Sequence, residues 1–456
     1  MVEKNKEYIV DIIDNGFQGE GIAKIDDFTI FVPNAIKGER VRVLIVKVLT
    51  SYAFAKIIEF VQKSKNRVEA DCLTYKRCGG CNLRHLKYEE TLKIKQNSVQ
   101  SLVNKTLKNK IKVEDVLGME NPYYYRNKVQ FPVGIDKDGK MQMGVFASRT
   151  HNIIPVKDCF IQNKDAQMLA KFVFNYWKEN NLSVYDEKTQ KGLLRHIVVK
   201  VGIKTNEFMC VLVINGLGFS KEDDFVKTIT NQFPKLTTIV INSNMENTNV
   251  ILGKKNRNIF GNGYIEDILG EYKFKISPLS FYQVNPIQAE KLYEMAVKQA
   301  EISKDDVVFD LYCGIGTISI FMSKYAKKVY GVEIVEEAVQ NAKENAKMNG
   351  ISNVEFLSGD VENILNDLLN VRNIKPDVVL VDPPRKGLDL KSIGNLCEVL
   401  PKRIVYISCN PATLVRDLAR LEDKYEVMGI RLVDMFPFTS HVECVALMGR
   451  KDNKSE

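Results

Sequence analysis

Residues 1–61 alternate apolar and polar side chains in short runs that Gly, Asp and Asn interrupt. Alternation with a period of two predicts half-buried β-strands. The predicted strands lie in KEYIVDII, GIAKI, FTIFVPNA and RVRVLIVKVLTSYAFAKIIEF. So many strands in so short a segment predict a small, closed, OB-like β-barrel, a fold that often binds nucleic acid. A purely stabilising appendage is the alternative.

The pattern changes twice over residues 62–275. Residues 62–92 hold several cysteines and little periodicity, whereas apolar residues at three- and four-residue spacing predict a helix over 89–109. We expect this helical region, about 89–120, to pack on the C-terminal domain. Strands then dominate, with one helix at AQMLAKFVFNYWKENN. The strands are predicted at NKVQFPVGI, HIVVKVGI, FMCVLVIN and TTIVINSN. This predicts a mostly antiparallel α+β central domain that carries the cysteine loop.

Strands and helices alternate from about residue 289. This alternation predicts a doubly wound, Rossmann-like α/β domain over residues 276–450. A final pair, YEVMGIRLVDMF and VECVALMGR, would extend its sheet as a hairpin, and residues 451–456 would form a frayed tail. The five apolar strands are predicted at VVFDLYCG, KKVYGVEI, NVEFLSGD, PDVVLVDPP and RIVYISCN. The chain is therefore predicted to be a multidomain α/β protein.

Composition and charge narrow the function without deciding it. No apolar run approaches the roughly 20 residues that span a bilayer, and the first residues have no signal-peptide core. We therefore expect a cytoplasmic protein with no membrane partner and take a monomer as the default. The net charge of +8 permits a polyanionic partner. In a reducing compartment, nine cysteines suggest metal binding or catalysis rather than disulfides.

The first strand of the α/β region ends in DLYCGIGT, which places Gly314 and Gly316 at a strand-to-helix turn. Glu333 ends the next strand, where a carboxylate can accept hydrogen bonds from both hydroxyls of a ribose. The complete phosphate fingerprint G-x-G-x-x-G is missing, which argues against NAD or FAD. S-adenosylmethionine has a ribose and no phosphate, and fits better. Asp360 is either an adenine contact or the N-cap of a helix.

Two further strands end in residues that suit chemistry. Asp382 lies at the carboxyl end of the fourth strand, where ligands bind in open α/β sheets, and Pro383 and Pro384 stiffen the turn after it. Cys409 ends the fifth strand and precedes a helix. We expect the helix N-terminus to lower the pKa of its thiol, which favours a nucleophile. A buried structural cysteine is the alternative.

A thiolate at this edge suits methylation at carbon 5 of a uracil. That carbon is a poor nucleophile, but addition of a thiolate at carbon 6 makes it electron-rich. A base must then remove the proton from carbon 5. His441 and Glu443 on the last hairpin are candidates, and Glu443 is the better one unless it is an ordinary exposed strand carboxylate.

Five strings across the C-terminal region resemble the RNA uracil-5-methyltransferase family, especially members that act on 23S ribosomal RNA. They are FYQVNPIQAEKLY, DLYCGIGTISI, VDPPRKGL, ISCNPATLVRDL and FPFTSHVECVALM. The N-terminal strands resemble the RNA-binding TRAM barrel of many members. The resemblance implies that Cys409 is the nucleophile and Glu443 the proton acceptor. It also implies contacts to S-adenosylmethionine from Gln283, Tyr312, Glu333 and Asp382.

Cys72, Cys78 and Cys81 lie close together in sequence, and Cys159 is a plausible fourth ligand. Their spacing suits either zinc or an iron–sulfur cluster. It does not match the C-x-x-x-C-x-x-C of radical enzymes. The resemblance implies a [4Fe-4S] cluster on these four cysteines, in a structural or RNA-positioning role.

The run YYYRNKVQF at 123–131 combines aromatic and basic residues that suit contact with unpaired RNA bases. An ordinary strand start is the alternative. Lys76, Arg77 and Arg84 are further candidates for contacts with the RNA backbone. Three other functions stay open: a transfer-RNA uracil-5-methyltransferase, a cytosine-5 RNA methyltransferase, and a non-catalytic iron–sulfur protein that binds RNA.

Overall fold

A computed structural model of the chain describes residues 2–148 and 150–451. The predicted tail therefore lies outside the described residues, apart from Lys451. The elements are, in chain order, β1 (Glu7–Asp11), β2 (Asp14–Asn15), β3 (Gly21–Ile25), β4 (Phe28–Val32), β5 (Arg40–Val48), β6 (Tyr52–Gln62), α1 (Tyr88–Thr106), β7 (Val116–Leu117), β8 (Lys128–Ile135), β9 (Met141–Phe146), β10 (Ile153–Pro155), α2 (Lys164–Glu179), β11 (Leu194–Val201), β12 (Phe208–Ile214), α3 (Glu222–Gln232), β13 (Leu236–Ser243), β14 (Lys255–Phe260), β15 (Ile265–Leu269), β16 (Tyr272–Ile276), α4 (Pro286–Ala300), β17 (Val307–Leu311), α5 (Thr317–Ser323), β18 (Lys328–Glu333), α6 (Glu336–Met348), β19 (Val354–Ser358), α7 (Val361–Asn366), a π-helical turn (Asp367–Val371), β20 (Val378–Val381), α8 (Leu390–Val399), β21 (Arg403–Ser408), α9 (Pro411–Leu421), β22 (Tyr425–Val433) and β23 (Glu443–Arg450).

The N-terminal strands form a six-stranded sheet in the order β1-β5-β6-β4-β3-β2. The backbone N–H of Ile13, just after β1, donates to the carbonyl of Ile22 on β3 at 2.8 Å, which draws the two sides of the sheet together. Val41, Val43 and Ile45 alternate along β5 and are fully buried inside. The period of two therefore places one face of each strand in a small core, and the predicted barrel is confirmed.

The cysteine loop that follows has little regular structure, and α1 comes directly after it. Val99 and Val103 of α1 are fully buried in the same apolar cluster as Leu414 and Leu418 of α9. The short strand β7 pairs in parallel with β22 at the edge of the C-terminal sheet. The helical segment thus packs on the C-terminal sheet, because its apolar stripe is covered there.

The central sheet has the order β10-β9-β8-β11-β12-β13-β14. All its pairs are antiparallel except β12 with β13, which α3 connects. Hydrophobic periodicity predicts one helix here and does not predict α3. That helix is short, contains β-branched residues that lower helix propensity, and buries only Phe225 and Ile229. The mostly antiparallel α+β prediction is otherwise confirmed.

The C-terminal sheet has the order β19-β18-β17-β20-β21-β23-β22-β7, and its first five strands run parallel. The hairpin of β22 and β23 extends it antiparallel, as predicted. Helices α4, α5 and α6 contribute to the core on one face, and α1, α8 and α9 to the core on the other. No helix in the described ranges is long and apolar enough to cross a membrane.

Candidate active site

A cleft of about 1140 Å³ opens where the parallel strands β17, β18, β20 and β21 end at their carboxyl termini. Pockets for single small molecules measure roughly 300–1,000 Å³, so this cleft has room for a nucleoside-sized donor and a base together. The six residues that the sequence analysis assigned to catalysis and donor binding all line it: Gln283, Tyr312, Glu333, Asp382, Cys409 and Glu443.

The Glu333 carboxylate is anchored at the end of β18. The backbone N–H groups of Gly314 and Val335 donate to its two oxygens, at 3.1 and 3.0 Å. Each carboxylate oxygen accepts more than one hydrogen bond, so both can still accept a ribose hydroxyl. Gly316 is needed for the turn beside it, because its φ is +80° and an added Cβ would lie 2.6 Å from the ring of Phe356.

Tyr312 lies in the same turn with a φ of +72°, a conformation that is unusual for an aromatic residue. Its hydroxyl lies 3.5 Å from the hydroxyl of Ser392 on α8. Non-glycine residues held in this region store strain and cluster at functional sites. Tyr312 lines the cleft in this strained conformation.

Asp360 serves as the N-cap of α7, where one of its oxygens accepts the N–H of Glu362 at 3.0 Å. It also lines the cleft. The two interpretations that the sequence left open are therefore compatible.

Gln283 is held by the central domain. The Asn127 side chain donates to the carbonyl of Gln283 at 3.1 Å, and the N–H of Asn127 donates to the carbonyl of Val284 at 2.9 Å. Asn285 then caps α4 and donates to the carbonyl of Met435 at 3.0 Å. A residue from another domain thus sets the position of Gln283, which only the family resemblance had marked.

Cys409 follows β21 and precedes α9. The Asn410 side chain caps this helix, accepting the N–H of Ala412 at 3.2 Å, and donates to the carbonyl of Arg385 at 2.9 Å. The Thr413 hydroxyl donates to the same carbonyl at 3.3 Å. These bonds tie the cysteine turn to the loop that begins at Asp382.

A buried residue that the sequence did not mark, Asp417, lies beneath this pair of loops. Its carboxylate accepts the N–H of Leu388 at 2.8 Å, the hydroxyl of Tyr406 at 2.9 Å and the Nε–H of Arg416 at 2.8 Å. An added Cβ at Gly387 would lie 2.4 Å from this carboxylate. The available signal was an acidic residue on the apolar face of α9. Asp417 lies beneath the two loops of the cleft and connects them.

The cleft contains two buried carboxyl groups with raised pKa values. Burial raises the pKa of Asp382 to about 7, and burial together with Asp382 raises the pKa of Glu443 to about 8, against the opposing charge of Arg385. Glu443 is only 4% exposed, which excludes the ordinary exposed carboxylate. A base whose pKa lies near the working pH is well suited to proton transfer.

The expected lowering of the Cys409 pKa is wrong. Burial, then Glu443 and Asp382, raise the pKa of its thiol to about 11, although Arg385 opposes them. The partial charge of a helix N-terminus is smaller than the effect of two nearby carboxyl groups and burial. His441 faces Arg385, with 3.2 Å between Nδ1 and Nη2. Burial and Arg385 lower the pKa of His441, so its ring is neutral near pH 7.

The loop that leads to Glu443 is held by helix α1. Lys95 forms an ion pair with Asp434 at 2.5 Å, and both side chains are fully buried. The ammonium group of Lys95 also donates to the carbonyl of Phe436 at 3.2 Å, and the hydroxyl of Tyr88 donates to Asp434 at 2.7 Å. Phe436 lines the cleft, so this network sets one of its walls.

The cysteine loop holds the next part of the same segment. The side chain of Asn82 accepts the N–H of Ser440 at 2.8 Å, and the N–H of Leu83 donates to the carbonyl of Phe438 at 3.0 Å. Asn82 also donates to the carbonyl of Gln18 in the barrel at 2.6 Å. Gly80 itself lines the cleft. The cysteine loop is therefore part of the site's wall and connects it to the barrel.

The thiols of the four cysteines predicted as ligands interact through their charges. Burial is the main cause that raises the pKa values of Cys78, Cys81 and Cys159, and charge interactions with the other cysteines add to it. Cys72 contributes to each of these interactions. Within residues 2–148 and 150–451, no three His, Cys, Asp or Glu side chains are arranged to hold a metal ion.

One expected RNA contact is wrong. Arg84 is only 3% exposed and forms an ion pair with Asp71. Its guanidinium lies 4.4 Å from the ring centre of Phe438 and 5.1 Å from that of Phe160. These contacts hold the cysteine loop against the cleft and leave the guanidinium out of reach of RNA. In the nearby aromatic run, Tyr125 is buried.

Comparisons with known proteins agree with this architecture. A family profile described as tRNA (uracil-5-)-methyltransferase matches residues 87–451, and a TRAM-domain profile matches residues 2–58. An uncharacterized RNA methyltransferase of Clostridium acetobutylicum is 47% identical over 99% of this chain and 98% of its own length. One of Oceanobacillus iheyensis is 44% identical over 98% and 97%.

A solved structure also matches nearly the whole chain. It is the Pyrococcus abyssi tRNA (uracil-54, C5)-methyltransferase in complex with S-adenosyl-L-homocysteine. The two chains align with a TM-score of 0.77 and 26% identity, over 97% of this chain and 100% of that one.

The fold and the cleft define an S-adenosylmethionine-dependent methyltransferase that acts on RNA. The chain belongs to the tRNA (uracil-5-)-methyltransferase family, with a TRAM domain at its N-terminus.

Replacing Glu443 with Gln should stabilise the protein, and more so at higher pH. Because burial raises the folded-state pKa above its ordinary value of 4.5, the wild type loses stability as pH rises from that value through about 8. The Gln variant lacks this loss. Between pH 6 and pH 9 its advantage in the free energy of unfolding should grow by about 2–3 kcal/mol, measured by urea denaturation.

Glu426→Gln, on the exposed part of β22, is the matched control and should show no such growth. An advantage for Glu443→Gln that stays constant over this pH range would contradict the raised pKa.

Proposed function

We propose that the protein methylates carbon 5 of a uridine in 23S ribosomal RNA, with Cys409 as nucleophile and Glu443 as proton acceptor. One observation carries the proposal: Asp382, Cys409 and Glu443, from three different strands, line the same cleft. The position of each residue in the cleft suggests its role in binding the donor. Glu333 binds the ribose of the donor, while Gln283, Tyr312 and Asp382 contact the rest of it.

In the proposed reaction, the thiolate of Cys409 adds to carbon 6 of the uracil, and the displaced electron pair forms an enolate. Carbon 5 then takes the methyl group from the sulfonium of S-adenosylmethionine, and S-adenosylhomocysteine is left. Carbon 5 now carries both a proton and a methyl group. Glu443 accepts that proton, the ring double bond re-forms, and the bond from carbon 6 to Cys409 breaks.

The acidity of the cleft suits a cationic donor. A sulfonium stabilises the negatively charged form of every acidic group near it. Its binding therefore lowers the pKa values of Asp382, Glu443 and Cys409 together. This offsets the effects that raise the thiol's pKa to about 11 in the protein alone. Attack on the ring face also requires the base to leave its stack, and the cleft volume accommodates a flipped nucleotide.

The proposed enzyme has three domains. Residues 1–61 form the TRAM barrel, 62–275 the central domain and 276–450 the methyltransferase domain, with the segment near 89–120 packed on the last. The protein works as a monomer in the cytoplasm, where RNA is processed and cysteines stay reduced. The family assignment favours uracil over cytosine, and the intact cleft favours an enzyme over a non-catalytic RNA-binding protein.

Transfer RNA is the second candidate substrate. The Pyrococcus abyssi enzyme, named for uracil 54 of tRNA, aligns over 97% of this chain. A tRNA enzyme can therefore share nearly all of this architecture, and the barrel does not exclude tRNA. The motifs around the nucleophile, which resemble those of 23S ribosomal RNA enzymes, support the first candidate.

We also propose that Cys72, Cys78, Cys81 and Cys159 hold a [4Fe-4S] cluster. Each thiolate binds a different iron in such a cluster, so its ligands are spaced more widely than around one metal ion. The charge interactions among the four thiols support a common site. The cluster would keep Gly80 and Asn82 in place at the cleft wall, a structural role.

The nucleophile can be tested with RNA that carries 5-fluorouridine. Fluorine at carbon 5 cannot leave as a proton does, so the covalent adduct should persist after denaturation in the presence of the donor. Wild type should form the adduct and Cys409→Ala should not, as measured by gel shift of labelled RNA. Glu443→Gln should accumulate a methylated adduct even with ordinary uridine, because it lacks the proton acceptor. Cys397→Ala, on α8, is the control and should behave as wild type. An adduct in Cys409→Ala would exclude this nucleophile.

The substrate can be identified with unmodified transcripts of 23S ribosomal RNA and of tRNA, each incubated with donor labelled in the methyl group. We expect label in 5-methyluridine from the ribosomal transcript, measured after digestion to nucleosides. Cys409→Ala should reduce the label to background. Label confined to the tRNA transcript would replace the first candidate with the second.

The cluster can be tested by metal analysis of anaerobically purified protein. We expect about four iron and four sulfide per chain, with visible absorbance that Cys81→Ser abolishes. Cys397→Ser should retain both. Zinc without iron or sulfide would show that the four cysteines bind a different metal.

A further inference from the structure

Two lysines of the central sheet lie opposite each other. Lys128 on β8 and Lys200 on β11 are direct partners in the antiparallel register. Their neighbours Val129 and Val199 lie in the core beneath α2, so alternation along the strands directs both lysines to the other face. Lys200 is only 6% exposed, whereas Lys128 is half-buried. Like charges directly opposite each other destabilise a sheet, and burial adds to the cost.

Protein groups do not neutralise this pair. In the described part of the chain, neither Lys128 nor Lys200 forms an ion pair, although 26 ion pairs occur elsewhere. The two lysines line a small recess that contains no carboxylate, and its other polar side chains are Asn127, Ser280 and Tyr282. Burial and Lys128 lower the pKa of Lys200 to about 7, and burial and Arg126 lower that of Lys128. The pair therefore lacks a negative partner among the residues that the structure describes.

The recess lies beside the active-site cleft. Phe281, which is 70% exposed, lines both the recess and the cleft. Arg126, two residues before Lys128, lines the cleft. The Lys200 ammonium donates to the carbonyls of Ser277 and Ser280, at 2.8 and 3.0 Å, which leaves one of its three protons free.

We propose that Lys128 and Lys200 form a subsite for a phosphodiester of the RNA backbone next to the nucleotide whose base enters the cleft. The inference rests on the proposed function for the entry of that base. The recess, at about 40 Å³, is too small for a phosphate group, so the anion lies at its mouth on Lys128. The anion raises the lowered pKa of Lys200, so that Lys200 adds its charge from beneath.

The same arrangement connects backbone binding to the donor. Lys200 holds the turn from Ser277 to Ser280, and Phe281 and Gln283 follow directly. Asn127, next to Lys128, holds the carbonyl of Gln283. An anion on the lysine pair would thus remove the repulsion directly beneath the segment that carries a donor contact.

The salt dependence of RNA binding tests this subsite. The probe is a fluorescein-labelled single-stranded RNA of about 20 nucleotides, followed by anisotropy between 50 and 300 mM KCl without donor, so that no turnover is needed. A single phosphate contact contributes about 0.7 to the slope of log K against log [salt] for single strands. Lys128→Ala should reduce the slope by about this amount and weaken binding roughly five- to tenfold at low salt.

Two further lysine variants separate the subsite from general surface charge. Lys128→Arg keeps the charge and should retain the wild-type slope. Lys227→Ala removes an exposed lysine from α3, on the opposite face of the sheet, and should leave slope and affinity unchanged. Lys200→Met should lower the slope as well, provided that its circular dichroism matches wild type. The Lys128 variants are the decisive test of the subsite. Lys128 is only half-buried, so its replacement should disturb the fold less than that of Lys200.

The salt slopes distinguish failure of the subsite from failure of the proposed function. An unchanged slope in Lys128→Ala overturns the subsite, and so does an equal loss of slope in Lys227→Ala. Absence of RNA binding by wild type would count against the proposed function instead. Weaker binding with an unchanged slope in Lys128→Ala would indicate a structural role and also overturn the subsite.

Discussion

The architecture depends on the buried ion pair between Lys95 and Asp434. A buried charge without a partner costs several kcal/mol, so replacing either residue alone would destabilise the fold. Because Lys95 lies on α1 and Asp434 follows β22, the pair fixes the N-terminal part of the chain against the last hairpin. The cysteine loop before α1 is thereby brought to Phe438 and Ser440, and from there to the wall of the cleft.

The cleft and its surroundings have opposite electrostatic character. Inside, burial raises the pKa of Asp382, and burial together with Asp382 raises the pKa of Glu443, which suits a cation. Beside it, Lys128 and Lys200 have no carboxylate partner among the described residues, and Arg126 lines the cleft next to them, which suits a polyanion. A cationic methyl donor and a polyanionic RNA therefore bind at one edge of the sheet. Only a few residues separate the acidic groups of the cleft from the lysine pair.

Much of the fold was readable from periodicity. The barrel, the five parallel strands and the final hairpin follow from strong patterns of period two or from continuous apolar runs, which tertiary contacts rarely override. Helix α3 was missed because its two buried residues leave a weak stripe. The burial of Arg84 was not predicted because a basic residue near a Gly-rich loop gives no sign that an acid and three aromatic rings will enclose it.

The sequence alone determined which residues end the strands of the α/β region, since strand ends follow from local hydrophobic runs and turn residues. That was enough to bring Tyr312, Glu333, Asp382 and Cys409 to one edge. Only the tertiary structure decided their electrostatics, because a pKa depends on burial and on neighbours distant in sequence. It raised the pKa of Cys409 where the helix N-terminus alone predicted a lower one. It also placed Asp417, Asn82 and Lys95 as supports, since contacts between domains leave no periodic signal in the chain.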